Sequence, residues 1–221
     1  FQTKETASKR YTVLRGGNEP CTTAAIRLYE LVKKENVLLS DVTDAFSVER
    51  LNKDFFKGYK DRYKKFCDFL TGNAKDNRDY VKKLLGRLVF LQFLQKKGWM
   101  SVPAGSKAWE GGDKAYMQKL VEHYKDNDRL LSDVLEPLFF NTLNEARPND
   151  IADARLGDNI KIPYLNGGLF DKDALDNRDI DFPYSYFQEL MEFFSEYNFT
   201  IDENDPDDAE VGIDPEMLGH I

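Results

Sequence analysis

Four lysines are spaced so that a single helix would bring their ammonium groups to one face. They recur at intervals of four, three and four residues and are Lys53, Lys57, Lys60 and Lys64. Residues three and four apart are neighbours on a helix surface, so such a stripe could follow the phosphates of a nucleic acid without reading its bases. A plain solvated face is the alternative, because Asp54 and Asp61 lie close by.

One arginine stands inside an otherwise apolar stretch. Arg87 lies within the segment LLGRLVFLQFL at residues 84–94. An unpaired guanidinium in a protein interior is costly, so we expect Arg87 to be structural and to pair with a carboxylate from elsewhere in the fold. A contact from Arg87 to DNA is the alternative.

The other reactive residue types do not form a catalytic or metal-binding pattern. No lysine has Asp or Glu two residues before it, the arrangement in which a carboxylate would hold Mg²⁺ beside an ammonium group. The two histidines, His123 and His220, and the two cysteines, Cys21 and Cys67, have no zinc-site spacing. We therefore predict no catalytic, cofactor or metal site in these residues.

Charge is distributed unevenly along the chain. Residues 53–107 contain 14 Lys or Arg and five Asp, whereas residues 171–216 contain 16 acids and two bases. The basic half could face phosphates, and the acidic half could face a basic surface. The longest continuous apolar run, residues 88–91, is far shorter than the roughly 20 residues of a membrane span, so we expect a cytoplasmic protein without a membrane partner.

Hydrophobic periodicity predicts that mainly helices position these residues. We expect a multi-helix bundle, with a short N-terminal strand at residues 9–15 and irregular loops in the C-terminal third. The predicted helices are residues 20–36, 47–72, 76–98 with Asp76 as the N-cap, 113–127, 131–143 with a loosening near Pro137, and 183–196. Residues 84–94 are apolar on nearly every side, which is typical of a helix at the centre of a bundle.

A turn-rich loop with the sequence PYLNGGLF follows at residues 163–170. Gly167 and Gly168 would permit positive φ there. The loop is either a structural clamp between two helical lobes or an interface with a neighbouring molecule, in which case its contacts would come from Tyr164, Asn166, Gly167 and Gly168.

The chain divides by pattern into three parts. Residues 1–45 form an N-terminal edge and a first helix that could end an upstream domain. Residues 46–162 form the helical bundle, and residues 163–221 contain the loop, a helix and an acidic segment. The first residue is Phe1, and a helix start at Asp214 comes a few residues before Ile221, so we expect a segment of a longer protein.

Several strings in this order resemble a known family. They are AFSVERLNKDFF at residues 45–56, LLGRLVFLQFLQKKGW at 84–99, PYLNGGLF at 163–170, YNFTI at 197–201 and DPEMLGHI at 214–221. Together they resemble the segment just ahead of the methyltransferase domain in Type IIG restriction-modification enzymes and related adenine-specific DNA methyltransferases. The resemblance covers most of the chain, and no single string encodes a mechanism.

The resemblance implies a connector domain within a larger DNA-modifying enzyme. Its partners would be double-stranded DNA and an adjacent methyltransferase domain in the same chain. S-adenosylmethionine would serve as methyl donor, with Mg²⁺ where an active nuclease is attached. The Gly-rich turn and the Asn-Pro-Pro-aromatic motif of that catalytic domain do not occur here. A helical protein-interaction module unrelated to DNA modification is the alternative function.

Overall fold

The computed structural model describes residues 23–45, 48–165, 167–199 and 212–213. These residues form a mainly helical fold, as predicted, whereas the predicted N-terminal strand lies outside them. The α-helices are α1 (Thr23–Val32), α2 (Leu39–Ala45), α3 (Val48–Phe69), α4 (Ala74–Lys96), α5 (Tyr116–His123) and α6 (Tyr184–Ser195).

Helices α3 and α4 form a hairpin with a short connection. Gly72 in that connection has φ of +98°, a conformation that glycine adopts without a steric penalty. Asn73 is the N-cap of α4, and its side chain accepts hydrogen bonds from the backbone N–H groups of Lys75 and Asp76. The predicted cap, Asp76, is therefore wrong by three residues; it lies in the first turn of the helix instead.

Helix α4 runs through the centre of the fold. Its residues 84, 85, 87–89 and 91–95 are all buried, which confirms the interpretation of residues 84–94 as a central helix. A single hydrophobic core surrounds it and includes side chains from Leu51 on α3 to Phe199 near the end of the described chain. Burial of this apolar surface is the main force that holds α3 at its place on the outside of the bundle.

Aromatic rings join α3 to α6. Phe55 stacks on Phe193 with ring centroids 5.4 Å apart, and Phe66 packs edge-on against Phe187 at 5.7 Å. The guanidinium carbon of Arg62 lies 4.0 Å from the centre of the Phe193 ring. These contacts fix the orientation of α3 and therefore decide which of its side chains face outward.

Some elements differ from the sequence-based expectation. Helix α5 is shorter than predicted. Residues 131–143 are helical, as predicted, but they are wound as π-helix over Leu131–Leu135 and Pro137–Leu143, with Glu136 between them also helical. Pro137 has no N–H to donate, so the helix lacks one backbone hydrogen bond at this position, as the predicted loosening near Pro137 requires. Helix α2 was not predicted.

Four two-residue strands complete the described fold. Strand β1 (Val102–Pro103) pairs antiparallel with β2 (Ile160–Lys161). Strand β3 (Asn198–Phe199) pairs parallel with β4 (Gly212–Ile213). The first pair joins two segments that the sequence presents as separate loops. None of the helices in the described residues is both long and apolar enough to cross a membrane.

Candidate nucleic-acid interface

The four lysines of the predicted stripe lie on one uninterrupted helix, α3, and all four are exposed. The buried residues of α3, among them Leu51, Phe55 and Phe66, lie on the opposite side. At a rise of about 1.5 Å per residue, the stripe is roughly 16 Å long. The structure therefore brings these lysines together in an arrangement that can face an extended anion.

Three of these lysines carry charge that the rest of the described protein does not neutralise. Lys57, Lys60 and Lys64 form no ion pair with any described residue, whereas the neighbouring Lys65 binds Glu189 at 2.6 Å. Asp61 and Asp68 share a shallow depression with Lys64, so the positive field is weaker at that end. The ammonium groups nearer the middle of α3 are the better candidates for binding phosphate.

Arg87 is 2% exposed and forms a bidentate pair with Asp176, which is 4% exposed. Its Nη1 donates to Asp176 Oδ1 at 2.7 Å and its Nη2 to Oδ2 at 3.1 Å. Lys83 Nζ lies 2.6 Å from the same carboxylate. Two cations therefore surround one buried anion, and the Arg87 side chain faces protein rather than solvent.

The pKa of Asp176 responds to this environment. Burial alone would raise the pKa, but the hydrogen bonds from Arg87 and Lys83 outweigh burial and lower it to about 2. The carboxylate is therefore ionised at every pH at which the protein is expected to work. The pair is a permanent structural charge and not a proton donor for catalysis.

Two guanidinium groups hold the ends of the 163–170 loop by its backbone. Arg87 donates from Nε to the carbonyl of Leu169 at 2.9 Å and from Nη2 to the carbonyl of Asp171 at 3.0 Å. At the other end, Arg147 Nη2 donates to the carbonyl of Ile162 at 2.7 Å. The loop is thus fixed to the helical core at both ends.

Arg147 is a residue that sequence reasoning missed. Its two Nη atoms donate to four backbone carbonyls, those of Thr142, Asp150, Ile151 and Ile162. Burial lowers the pKa of the guanidinium from its ordinary value. The segment around Arg147 has no periodicity, so no local signal identifies this role.

The loop itself presents Tyr164 and Leu169, each 39% exposed, and the exposed Gly167 and Gly168. Asn166 lies outside the described residues. The glycine pair does not use the positive φ that glycine permits. Gly167 is extended, with φ of −158°, and Gly168 begins a short 3-10 turn that reverses the chain without a left-handed residue.

The described residues contain no group of three or more His, Cys, Asp or Glu side chains placed to hold a metal ion. His123 is exposed at the end of α5, and Cys67 is a half-buried free thiol on α3. Cys21 and His220 lie outside the described residues. Among the described residues, the surface of α3 and the 163–170 loop are the two features that the sequence singled out for contact with another molecule.

Comparison with known proteins gives one informative similarity. The chain is 29% identical over 182 residues to a protein of Methanocaldococcus jannaschii that is named as a candidate type II restriction enzyme and methyltransferase. The similarity covers 76% of this chain and spans about 14% of the length of that relative. No protein-family profile matches the chain. No solved structure matches it either.

Proposed function

We propose that this chain is a non-catalytic helical connector domain of a DNA restriction-modification enzyme. The parent would be an S-adenosylmethionine-dependent adenine-N6 DNA methyltransferase, with or without an endonuclease. The observation that carries the proposal is the similarity to the M. jannaschii protein over 76% of this chain. The continuous hydrophobic core supports the spacing role, because a rigid body can hold neighbouring domains at a fixed separation.

The chemistry of the parent is assigned to other parts of the longer protein. This chain has neither the Gly-rich turn nor the Asn-Pro-Pro-aromatic motif of adenine methyltransferases, and its described residues offer no metal-binding cluster. No S-adenosylmethionine or Mg²⁺ site is therefore proposed here. The contribution of the chain would be to position the methyltransferase domain and the duplex.

Contact with the DNA backbone would come from α3. The exposed ammonium groups of Lys53, Lys57, Lys60 and Lys64 follow one helix face, and lysine binds phosphate as a point charge without selecting a base. The 163–170 loop is fixed by Arg87 and Arg147 and could meet either the duplex or the methyltransferase domain. Fixed backbone geometry favours a specific contact, because little entropy is lost when the partner binds.

Equilibrium binding of fluorescently labelled duplex DNA tests this proposal. The protein that contains this chain should bind duplexes of unrelated sequence, and the logarithm of its affinity should fall linearly with the logarithm of salt concentration. A matched protein in which these lysines are replaced by Gln should bind more weakly at every salt concentration. If the two proteins bound DNA equally, the lysines would not contact DNA and the chain would act only as a spacer.

An interaction module unrelated to DNA is the second candidate, and one surface favours it. Helices α1 and α2 and the turn between them expose apolar side chains, including Val32 at 81% and Leu39 at 75%. An exposed apolar patch commonly marks a protein interface. This candidate would be supported if the protein that contains the chain failed to bind duplex DNA while Val32→Asp and Leu39→Asp disrupted a protein complex.

A further inference from the structure

Helix α4 carries a second row of cations, on its outer face. Lys75, Arg78 and Lys82 are spaced by three and four residues and are all exposed, so they are neighbours on one face of the helix. Gly86 continues this face at the next turn, and a Cβ on Gly86 would meet no atom within 4 Å. The described part of the protein therefore leaves this face of α4 open.

The row on α4 carries charge that the described residues do not neutralise. No described carboxylate lies within ion-pair distance of its three cations, whereas the adjacent Lys83 lies 2.6 Å from both Asp173 and Asp176. In this respect the row resembles the unpaired lysines of α3 and differs from the structural cations of the core. A negatively charged partner can bind it without first breaking an ion pair.

The row on α4 lies beside the lysine stripe of α3. Tyr63, which stands between Lys60 and Lys64, donates from its hydroxyl to the backbone carbonyl of Arg78 at 3.4 Å. Burial raises the pKa of the Tyr63 phenol and of the Cys67 thiol, and the nearby charge of Arg78 opposes the rise in each. The Arg78 guanidinium therefore lies close to the turn of α3 that follows Lys64.

The hairpin aligns the two rows. Helices α3 and α4 run in opposite directions with the same rise per residue, so the contact between Tyr63 and Arg78 places Lys82 beside Lys60. The axes of packed helices are about 8–10 Å apart, and successive cations within a row are separated by roughly 6 Å along the axis. Lys60, Lys64, Arg78 and Lys82 thus mark the four corners of one cationic surface, the hairpin surface.

Acidic residues lie on the flanks of the hairpin surface. Asp61 and Asp68 line a depression at the contact between α3 and α6, on the side of α3 away from α4. The exposed acids of α4, Asp76 and Asp79, are turned around the helix from Arg78 by roughly 160° and 100°. The positive charge of both helices is therefore greatest where they meet.

We propose that duplex DNA lies across the α3–α4 hairpin and that Arg78 and Lys82 contact its backbone together with Lys60 and Lys64. The proposal rests on the function proposed above, which places the DNA contact on α3. The row separation of about 8–10 Å lies between the widths of the minor and major grooves of DNA, about 6 and 12 Å. Two such rows fit the two backbones that border a groove, whereas a single extended acidic peptide would follow only one row.

Fluorescence anisotropy with a labelled duplex tests the proposal in the protein that contains this chain. Arg78→Gln with Lys82→Gln should weaken binding and flatten the slope of log affinity against log salt by about 1.8, because each lost contact removes about 0.9. Arg78→Lys with Lys82→Arg keeps both charges and should keep the slope. Lys97→Gln with Lys125→Gln, at exposed positions outside the hairpin surface, changes the net charge equally and should leave the slope unchanged.

A charge added to the open face of α4 gives an independent readout. Gly86→Glu and Gly86→Gln both extend a side chain into open space, so neither should disturb packing, and only Gly86→Glu adds a negative charge. If DNA covers α4, Gly86→Glu should bind the duplex more weakly than Gly86→Gln. Circular dichroism checks that every variant is folded. Equal binding by the two Gly86 variants would contradict the proposal.

The pattern of losses separates this proposal from the proposed function. If Lys57→Gln with Lys60→Gln weakens binding while Arg78→Gln with Lys82→Gln acts no more strongly than the control pair, DNA contacts α3 alone. The function proposed above would then stand, and the contact with α4 would be overturned. If neither pair weakens binding more than the control pair does, the DNA contact on α3 fails as well.

Discussion

Gly58 on α3 lies against the ring of Phe193 on α6, and a Cβ atom on Gly58 would overlap that ring. Phe193 is 3% exposed and is confined by Phe55, so it has little room to move. The absence of a side chain at Gly58 thus lets the two helices approach closely. The position of the lysine stripe on the bundle depends on this contact.

Gly58→Ala is expected to destabilise the protein by about 1–3 kcal/mol, because the added methyl group forces the packed ring to shift. That cost should exceed the gain of up to about 1 kcal/mol that Ala brings to a helix interior. Gly86→Ala is the matched control, since a Cβ on Gly86 on α4 would meet nothing within 4 Å. Urea denaturation should show opposite changes for the two variants, and equal changes would refute the packing argument.

The contrast between these glycines shows what the sequence could and could not reveal. The long helices around both were predictable, because apolar residues recur at the helical period in α3 and fill nearly every side of α4. The sequence does not show which of the two glycines contacts another helix, because the contact is made by a residue distant in the chain. The same limit applies to Arg87. Its apolar surroundings predict a carboxylate partner, but the sequence could not identify Asp176, because it lies 89 residues away.

The 163–170 loop and Arg147 show a second limit. Arg147 makes all of its hydrogen bonds to backbone carbonyls, and every residue type has a carbonyl, so no partner residue type could reveal the role. The glycine pair permits a left-handed turn, yet the chain forms a 3-10 turn at Gly168–Phe170 instead. Composition indicated a turn correctly but could not fix its conformation.

Arg87→Met should destabilise the protein by about 3 kcal/mol or more, because it leaves Asp176 buried without its main partner. It also frees the carbonyls of Leu169 and Asp171 from their donor. Adding Asp176→Leu should restore part of the loss by removing the unpaired charge. Thermal denaturation of both proteins measures the effect, and an unchanged melting temperature in Arg87→Met would place the side chain in solvent.

Low pH should destabilise the folded protein, because it protonates the buried carboxylate of Asp176. Its folded-state pKa of about 2 is below the ordinary value of 3.8, so the folded state favours the ionised form. The resulting stability is present above pH 4 and is lost as pH falls from about 4 to 2. The free energy of unfolding should fall by about 2 kcal/mol over that range from this group. In Asp176→Asn that part of the pH dependence should be absent.

Arg147→Met should loosen the 163–170 loop at the end that Arg147 holds. The carbonyls of Thr142 and Ile162 would lose their guanidinium donor, so local opening should require less free energy. Hydrogen exchange should accelerate at the amide of Leu165, which donates to the Leu143 carbonyl, and should change less at amides in the middle of α3. Uniform acceleration across the protein would indicate global destabilisation instead of a local clamp.

The lysine stripe gives the most direct test of contact with DNA. Lys57→Gln together with Lys60→Gln, in the protein that contains this chain, should weaken binding of specific and unrelated duplexes alike, because backbone contacts do not read sequence. Each lost contact should flatten the slope of log affinity against log salt by about 0.9. The matched control is Lys97→Gln with Lys125→Gln, two exposed lysines outside α3 that change the net charge equally. If both pairs altered the slope alike, net charge would explain the binding and the stripe would be ordinary solvated surface.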